Sequence, residues 1–299
     1  MAGLLLVRYG ELGLKSPPVR RQFERQLRRN VLDQFVAEGI TGRLRSDRGH
    51  LYVEVDDPVR ALRVLRRVFG VTSASVVHEV PTERTAVRDR LLELADPLLT
   101  PGISFAVRAR RTGTHPFTSQ ELARDLGADI IDRFGDRGLK VNLDHPELEL
   151  FVEVRGPRTY LYLGRESGPG GLPLGVAGHI VALVDGPRGA LGAYLLMKRG
   201  CRAAIVETPS GAETVERVLR VFDPHLRVER SAADPESWEP ALARLAEESN
   251  ADGVVLPIDV AGYVLARERW GERVLFSPTV GLTEGEVTDR WERITALLA

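Results

Sequence analysis

The stretch 179-HIVALVDGPRGALGAYLLMKRGC-201 decides the architecture of the carboxy-terminal part of this chain. Its first six residues, His179 to Val184, form an apolar run that predicts a buried strand. Asp185 to Ala190 carries two glycines and a proline and reads as a tight loop. Leu191, Tyr194, Leu195 and Met197 recur at helical spacing, which predicts a helix over 191–199. A strand, a glycine-bearing loop and a helix start bring free N–H groups and the helix dipole together, the elements of an anion site. Further strands and helices are expected to alternate at 202–207, 211–222, 226–229, 236–249, 253–258, 274–277 and 283–298. That order predicts a doubly wound α/β domain on a parallel sheet. The Gly/Pro run Glu166 to Gly175 reads as the linker before it.

The amino-terminal part has a different rhythm. Leu4 to Tyr9 reads as a strand, not a signal peptide, because no basic leader precedes its short apolar run. Ser16-Pro17-Pro18 is expected to cap a helix to about Val36, with Val19, Phe23, Leu27, Val31 and Phe35 as its apolar stripe. Arg21, Arg25, Arg28 and Arg29 lie off that stripe. Strands are expected at 41–45 and 50–55, around the turn Ser46-Asp47-Arg48-Gly49. A second helix should open at Asp57-Pro58 with Val59, Leu62, Val64, Leu65 and Val68 inward, and a strand should follow at 72–80. The order β-α-β-β-α-β is a ferredoxin-like unit. After Pro81 the pattern predicts a helix through Val87 and Leu91, a strand at 104–110, a helix at 119–134 and a hairpin of 148–154 with 159–163.

Composition narrows the field. With 299 residues, 43% hydrophobic and 28% charged, the chain has the balance of a globular protein of two or three domains. No apolar run reaches the roughly 18 residues of a membrane span. The single cysteine, Cys201, excludes an intramolecular disulfide or a two-cysteine relay within one chain and fits a reducing cytoplasm. The histidines show no metal spacing, so no metal site is assigned. Residues 1–80 carry 14 Lys+Arg against 9 Asp+Glu, whereas residues 171–299 carry 14 against 19. A basic front and an acidic back point to a polyanion held by the front. Only three of the 41 basic residues are lysine, which suits phosphate forks but also follows from codon bias.

Arg8-Tyr9-Gly10-Glu11-Leu12-Gly13-Leu14-Lys15-Ser16, followed by Phe23, Leu27 and Asn30, is one motif. Ser46-Asp47-Arg48-Gly49-His50-Leu51-Tyr52-Val53 is a second. The third runs from Phe105 through Arg108, Arg110, Arg111, Gly113, His115 and Phe117 to Glu121. Leu143-Asp144-His145-Pro146 and Gly170-Gly171-Leu172-Pro173 continue the series. Together they resemble the tRNA 4-thiouridine synthetase (tRNA sulfurtransferase) family. The resemblance is good over roughly residues 1–205, and weaker beyond. It implies a ferredoxin-like domain at 1–80, a THUMP RNA-binding domain at 81–166 and an ATP-pyrophosphatase (PP-loop) domain at 167–299.

The residues read alone agree with an RNA-binding centre. Arg108 and Arg110 share a strand face by alternation. Arg111, Thr112 and Gly113 follow at the strand end, before a helix start at Ser119. Such an arrangement can clamp a phosphate or a tRNA 3′ end, with His115 and Phe117 to stack on bases and Lys15 and the helix arginines to extend the grip. The plain alternative is that these arginines are solvated strand-edge charges in surface ion pairs. In the same way, Arg8-Tyr9-Gly10-Glu11 is either an RNA contact or a turn with a Glu11–Lys15 pair.

The resemblance implies a Ser-Gly-Gly-x-Asp-Ser loop for ATP, with Mg²⁺ screening the phosphates. At matching positions stand Asp185, Gly186, Pro187, Arg188, Gly189 and Ala190. Asp185 adds negative charge, Pro187 lacks an N–H, and Ala190 lacks a hydroxyl. A register shift would let Arg188 touch phosphate. The family's second nucleotide loop is matched by Ile258-Asp259-Val260-Ala261-Gly262-Tyr263, again without its hydroxyls. The late catalytic cysteine and the rhodanese-like extension of the family have no counterpart, and Cys201 matches a packing position.

The expectation is therefore a cytoplasmic tRNA-binding protein that grips the acceptor 3′ end. Its nucleotide loop would be too altered for ordinary adenylation, with no catalytic residue and no firm cofactor assigned. A sulfur-carrier or modification-enzyme partner and a homodimer are further expectations. The rival is an active ATP- and Mg²⁺-dependent tRNA sulfurtransferase fed by a separate sulfur carrier. A third reading is a small-molecule α/β enzyme using Asp185 or Asp259.

Overall fold

The computed structural model describes residues 3–10, 16–47, 49–209, 212–270 and 273–296. Its first unit is β1 (Gly3–Tyr9), α1 (Pro17–Ala37), β2 (Gly42–Asp47), β3 (His50–Val55), α2 (Pro58–Leu65) and β4 (Val71–Pro81). The second holds α3 (Arg84–Ala95), β5 (Ser104–Thr112), α4 (Ser119–Phe134), β6 (Lys140–Val141), β7 (Leu148–Arg155) and β8 (Arg158–Tyr162). A short strand, β9 (Glu166–Ser167), runs back along β4. All these strands lie in one sheet, ordered β2-β3-β1-β4-β8-β7-β5-β6.

The joint of this sheet is β4. Its first part pairs antiparallel with β1, from Val71 to Val77, and its last part with β8, from His78 to Pro81. One strand thus serves both units. Helices cover one face of each half, over Leu5, Leu27, Val31 and Phe35 in the first and Phe105, Leu126, Ile130 and Leu150 in the second. The other face closes on itself. Tyr52 of β3 and Tyr160 of β8 lie three strand places apart, about 14 Å on a flat sheet, yet their ring centroids are 4.9 Å apart. Leu6, Tyr52, Val77, Tyr160 and Tyr162 are buried in this fold of the sheet.

A charged cluster lies beside that apolar seam. Arg155 Nε donates to Glu153 Oε1 at 2.9 Å, and Arg8 Nη2 to Glu153 Oε2 at 3.3 Å. Arg155 also donates to His50 Nε2 at 2.8 Å. Arginine has only donors, so Nε2 is the bare nitrogen of His50. Arg8 lies over the Tyr162 ring, 4.7 Å from its centroid. The Arg8 of the first motif is therefore bound up in the joint between the two units.

The third unit is β10 (His179–Val184), α5 (Pro187–Lys198), β11 (Arg202–Glu207), α6 (Ala212–Phe222), β12 (Arg227–Arg230), α7 (Pro235–Glu248), β13 (Gly253–Val255), α8 (Val260–Arg269), β14 (Val274–Phe276) and α9 (Glu284–Ala296). Its sheet is parallel, in the order β12-β11-β10-β13-β14, the doubly wound plan. It docks on the first unit. Phe69 stacks on Phe222 at 5.1 Å and meets Tyr194 edge-on at 5.3 Å. Asn30 donates to Leu174 O, and Gln34 to the carbonyls of Val221 and Phe222.

Four local expectations change. Ser16 makes no side-chain cap; α1 starts at Pro17, whose fixed φ and missing N–H suit a first turn. Val59 is exposed, because it lies about 160° around α2 from buried Ala61. The helix expected at 191–199 starts four residues earlier, at Pro187 after Gly186, so most of the supposed loop is its first turn. Residues 260–263, read as a second nucleotide loop, open α8, where Asp259 accepts from Gly262 N at 2.8 Å.

Glu153 is 6% exposed and faces two guanidiniums. Burial pushes its carboxyl up, but the Arg155 hydrogen bond and the charges of Arg155 and Arg8 pull it further down, below the ordinary 4.5. Replacing it by alanine should cost about 3–5 kcal/mol, read from the denaturation midpoint, since the buried Arg155 and the half-buried Arg8 lose their shared partner. The folded state holds this proton less tightly than the unfolded chain. Its contribution is full above about pH 4.5 and fades as pH falls through the lower native value. Stability measured against pH should therefore show a shallower acid limb in Glu153→Gln than in the parent.

Candidate nucleic-acid interface

β6 pairs with β5 only at Ser104 and Phe105. Beyond that point the outer edge of β5 has no neighbouring strand among the described residues. Between this edge and α4 runs a cleft of about 980 Å³. Its walls are apolar and small: Val107 and Ala109 from the strand, Ala123, Gly127 and Ala128 from the helix. Its rim is cationic, with Arg108, Arg110, Arg124 and Arg165 against the acids Asp132 and Glu149.

The four arginines are held differently. Arg108 Nε donates to Glu149 Oε1 at 2.8 Å and its Nη2 to Leu143 O at 2.7 Å, which fixes the 142–146 loop against the strand. Arg110 is exposed and has no hydrogen-bond or ion-pair partner among the described residues. Arg124 meets only its neighbour Asp125, at 3.4 Å on the surface, a pair worth little in water. Arg165 lies over the Phe151 ring, 4.8 Å from its centroid, and donates to Tyr162 Oη at 2.8 Å. Phe151 in turn stacks on Tyr162 at 4.9 Å with the planes 5° apart. A guanidinium on an aromatic floor beside an open strand edge offers charge and a flat apolar face at once.

The structure divides the residues singled out in the sequence. Arg108 and Arg110 line the cleft. β5 runs two residues further than the sequence pattern put it, so Arg111 and Thr112 are its last residues, paired with Val154 and Arg155 of β7, and Gly113, His115 and Phe117 follow in a loop bonded back to that strand end. Arg111 donates to Gly113 O at 3.1 Å, and His115 Nε2 to Thr112 O at 3.2 Å. His115 and Phe117 stack on each other at 5.5 Å. Gly113, at φ +96°, makes the turn that this needs. Thr118 caps α4 through a capping box with Glu121. Lys15 lies outside the described residues. Arg165, Phe151 and Arg124 were not singled out. Alternation puts Phe151 on the side of Arg108, its paired residue, but no spacing points to Arg165.

At the start of α5 the geometry is tight. A Cβ on Gly189 would stand 2.4 Å from Leu183 O, so this glycine serves the close contact of helix and strand. Arg188 is turned away to the 279–284 segment. It donates to Thr279 O at 2.7 Å, Leu282 O at 2.8 Å and Glu284 Oε1 at 2.7 Å. Asp185 follows β10 directly, beside Gly186, and is exposed. Glu207 ends the neighbouring β11, paired with Val184, and its carboxyl is raised by burial and then by Glu216. Cys201 is buried and its Sγ faces Ala177 O at 3.4 Å, with burial pushing the thiol up. Among the described residues no group of three or more His, Cys, Asp or Glu could hold a metal ion.

Residues 4–75 match the ThiI ferredoxin-like domain and residues 86–164 the THUMP domain. A probable tRNA sulfurtransferase of Methanothermobacter thermautotrophicus is 36% identical over 228 residues, 73% of this chain and 57% of that protein. The tRNA sulfurtransferase of Pyrobaculum aerophilum is 37% identical over 225 residues, 73% and 44% of the two chains. This chain thus spans about half the length of the curated relatives it matches. The crystal structure of PH1313 from Pyrococcus horikoshii superposes with a TM-score of 0.81 at 25% identity, covering 98% of this chain and 99% of that one. A 4-thiouridine synthetase–RNA complex with bound ATP shares the fold at a TM-score of 0.81 and 22% identity, covering 99% and 86%. In its two amino-terminal domains, its relatives and its architecture, this chain belongs to the tRNA sulfurtransferase (4-thiouridine synthetase) family.

Proposed function

We propose that this chain binds tRNA and takes the single-stranded 3′ end into the cleft between α4 and the open edge of β5. The observation that carries this reading is Arg110, without a partner among the described residues, beside the Arg165–Phe151 stack, on the stretch of the β5 edge that no described strand covers. Single strands are held by charge along the backbone and aromatic faces under the bases, and the cleft rim supplies both. The relatives named above are tRNA sulfurtransferases, and the solved synthetase is bound to RNA, which favours the same ligand here. We take the working units to be 1–80, 81–166 and 167–299, acting in the cytoplasm beside tRNA, with a modification enzyme or sulfur carrier as the next partner. Among the described residues no helix is long and apolar enough to cross a membrane.

The start of α5 does not fit a triphosphate. Pro187 gives no N–H, Arg188 is spent on the 279–284 segment, and Ala190 carries no hydroxyl. Asp185 and Glu207, at the ends of β10 and β11, set two carboxyls beside the start of α5, where phosphate charge needs cations. The function we assign is therefore tRNA binding without adenylation. Against it stands the ATP-dependent sulfurtransferase reading, favoured by the whole-chain likeness in fold to the ATP-bound synthetase.

Arg110→Ala should weaken tRNA binding about tenfold, roughly 1.4 kcal/mol, with an unchanged melting temperature, and should weaken a short strand copying the 3′ end by a similar factor. Equal affinity of parent and variant would remove the cleft from the account. Calorimetry with ATP and Mg²⁺, with and without tRNA, should give no binding heat. A micromolar Kd for ATP, lost in Arg188→Ala, would establish the sulfurtransferase reading instead.

A further inference from the structure

A groove of about 470 Å³ runs along the seam where the third unit docks on the first. No residue of the cleft or of the start of α5 lines it. Glu38 and Arg67 of the first unit face Glu216, Arg217 and Arg220 of α6 and Arg230 at the end of β12. Three of these four arginines come from a unit in which acids outnumber bases. Each glutamate is shared between two cations. Glu38 accepts from Arg67 Nη2, and its other oxygen stands 3.7 Å from Arg60 Nη2. Glu216 accepts from Arg220 Nε at 2.7 Å and from Arg230 Nη2. Arg230 also faces the buried Glu207 at 3.7 Å. Counting Arg60 and Glu207 with the lining leaves the same surplus of two cations.

Two of the lining arginines hold donors that the protein does not use. Arg217 is exposed and has no hydrogen-bond or ion-pair partner among the described residues. Arg67 is mostly buried, and its Nε has no acceptor. Arginine cannot shed its charge, and an unused buried donor is costly. What answers both is an anion of about two charges with several oxygens. A phosphate monoester carries about −1.5 to −2 at pH 7 and offers three acceptor oxygens, which arginine forks take in pairs. Nucleic-acid backbone fits less well. Each phosphodiester carries a single charge, and no aromatic side chain lines the groove to hold a base. Mg²⁺-bound ATP fails too, since the metal already holds its outer phosphate oxygens.

We propose that this groove binds a compact phosphate dianion, either inorganic phosphate or the phosphate end of a small monoester. Arg67 grips it from the first unit and Arg217 from the third, with Arg220 and Arg230 beside them on Glu216. The ligand then ties the two units together across a seam otherwise made by Asn30, Gln34 and the Phe69–Phe222 stack. The site goes beyond the tRNA-binding reading and does not depend on it, because groove and cleft share no residue.

The test is calorimetry on the whole chain with inorganic phosphate and with ribose 5-phosphate, against sodium chloride of equal ionic strength. The expected result is one site per chain with a Kd below about 1 mM, and a melting temperature raised by the bound anion. Arg217→Gln should weaken binding about tenfold and cancel most of that rise. Since Arg217 pairs with nothing in the fold, this variant should melt like the parent when no anion is present. Arg67→Gln repeats the test from the other side of the seam. Arg110→Ala, which tests the cleft, should bind phosphate as the parent does. Tighter binding of ribose 5-phosphate than of phosphate would mark a monoester as the ligand, and the reverse order would mark the free anion. No binding by the parent, or binding that both Arg217→Gln and Arg67→Gln retain, would overturn the site. Displacement of bound phosphate by tRNA would also overturn it, by making the groove part of the RNA surface.

Discussion

Glu153 holds the amino-terminal half of this protein together. Its carboxylate takes Arg8 from the first unit and Arg155 from the second, and Arg155 reaches on to His50. Such a cluster is costly to bury and stays only where every charge is answered. Beside it the helix-free face of the sheet has folded on itself over Leu6, Tyr52, Val77, Tyr160 and Tyr162. With β4 shared by both halves, the ferredoxin-like and THUMP domains cannot turn independently without tearing strand pairs, a tyrosine seam and a salt-bridge cluster at once.

The open places follow from that closure. Because the sheet is sealed at its middle, the long edge that the described residues leave unpaired in the second unit is β5, beyond the two-residue pairing with β6. Small residues on α4 keep the helix from filling the space beside it. The same frame carries the outer face of α1, while the inner side of α1 docks the third unit through Asn30 and Gln34. The third unit has instead turned its loop cation inward: Arg188 ties α5 to the segment before α9.

Much of this was legible in the residues. The helix at Ser119–Phe134 and the strands His50–Val55, His179–Val184 and Arg202–Glu207 stand where the pattern put them, because each has a clean apolar period. The helix α8 was missed for the opposite reason. None of its side chains is buried, and Val260, Val264 and Leu265 point outward, so no inward stripe marks it. The sequence left the Arg8-Tyr9-Gly10-Glu11 stretch open between an RNA contact and a turn, because nothing nearby in the chain shows what Arg8 would pair with. Its true partner, Glu153, lies 145 residues away. The Arg165–Phe151 stack was equally hidden, since two residues on different elements meet only once the sheet has curled.

The central claim is that the open edge of β5 receives the 3′ end of tRNA. Hydrogen exchange of the backbone amides addresses it most directly, because Val107 and Ala109 lie on the strand edge that lines the cleft. The account predicts slower exchange across 106–111 and 120–131 on adding intact tRNA, and none of that protection with tRNA trimmed at its 3′ end. Protection confined to 185–190, or equal protection by intact and trimmed tRNA, would contradict it.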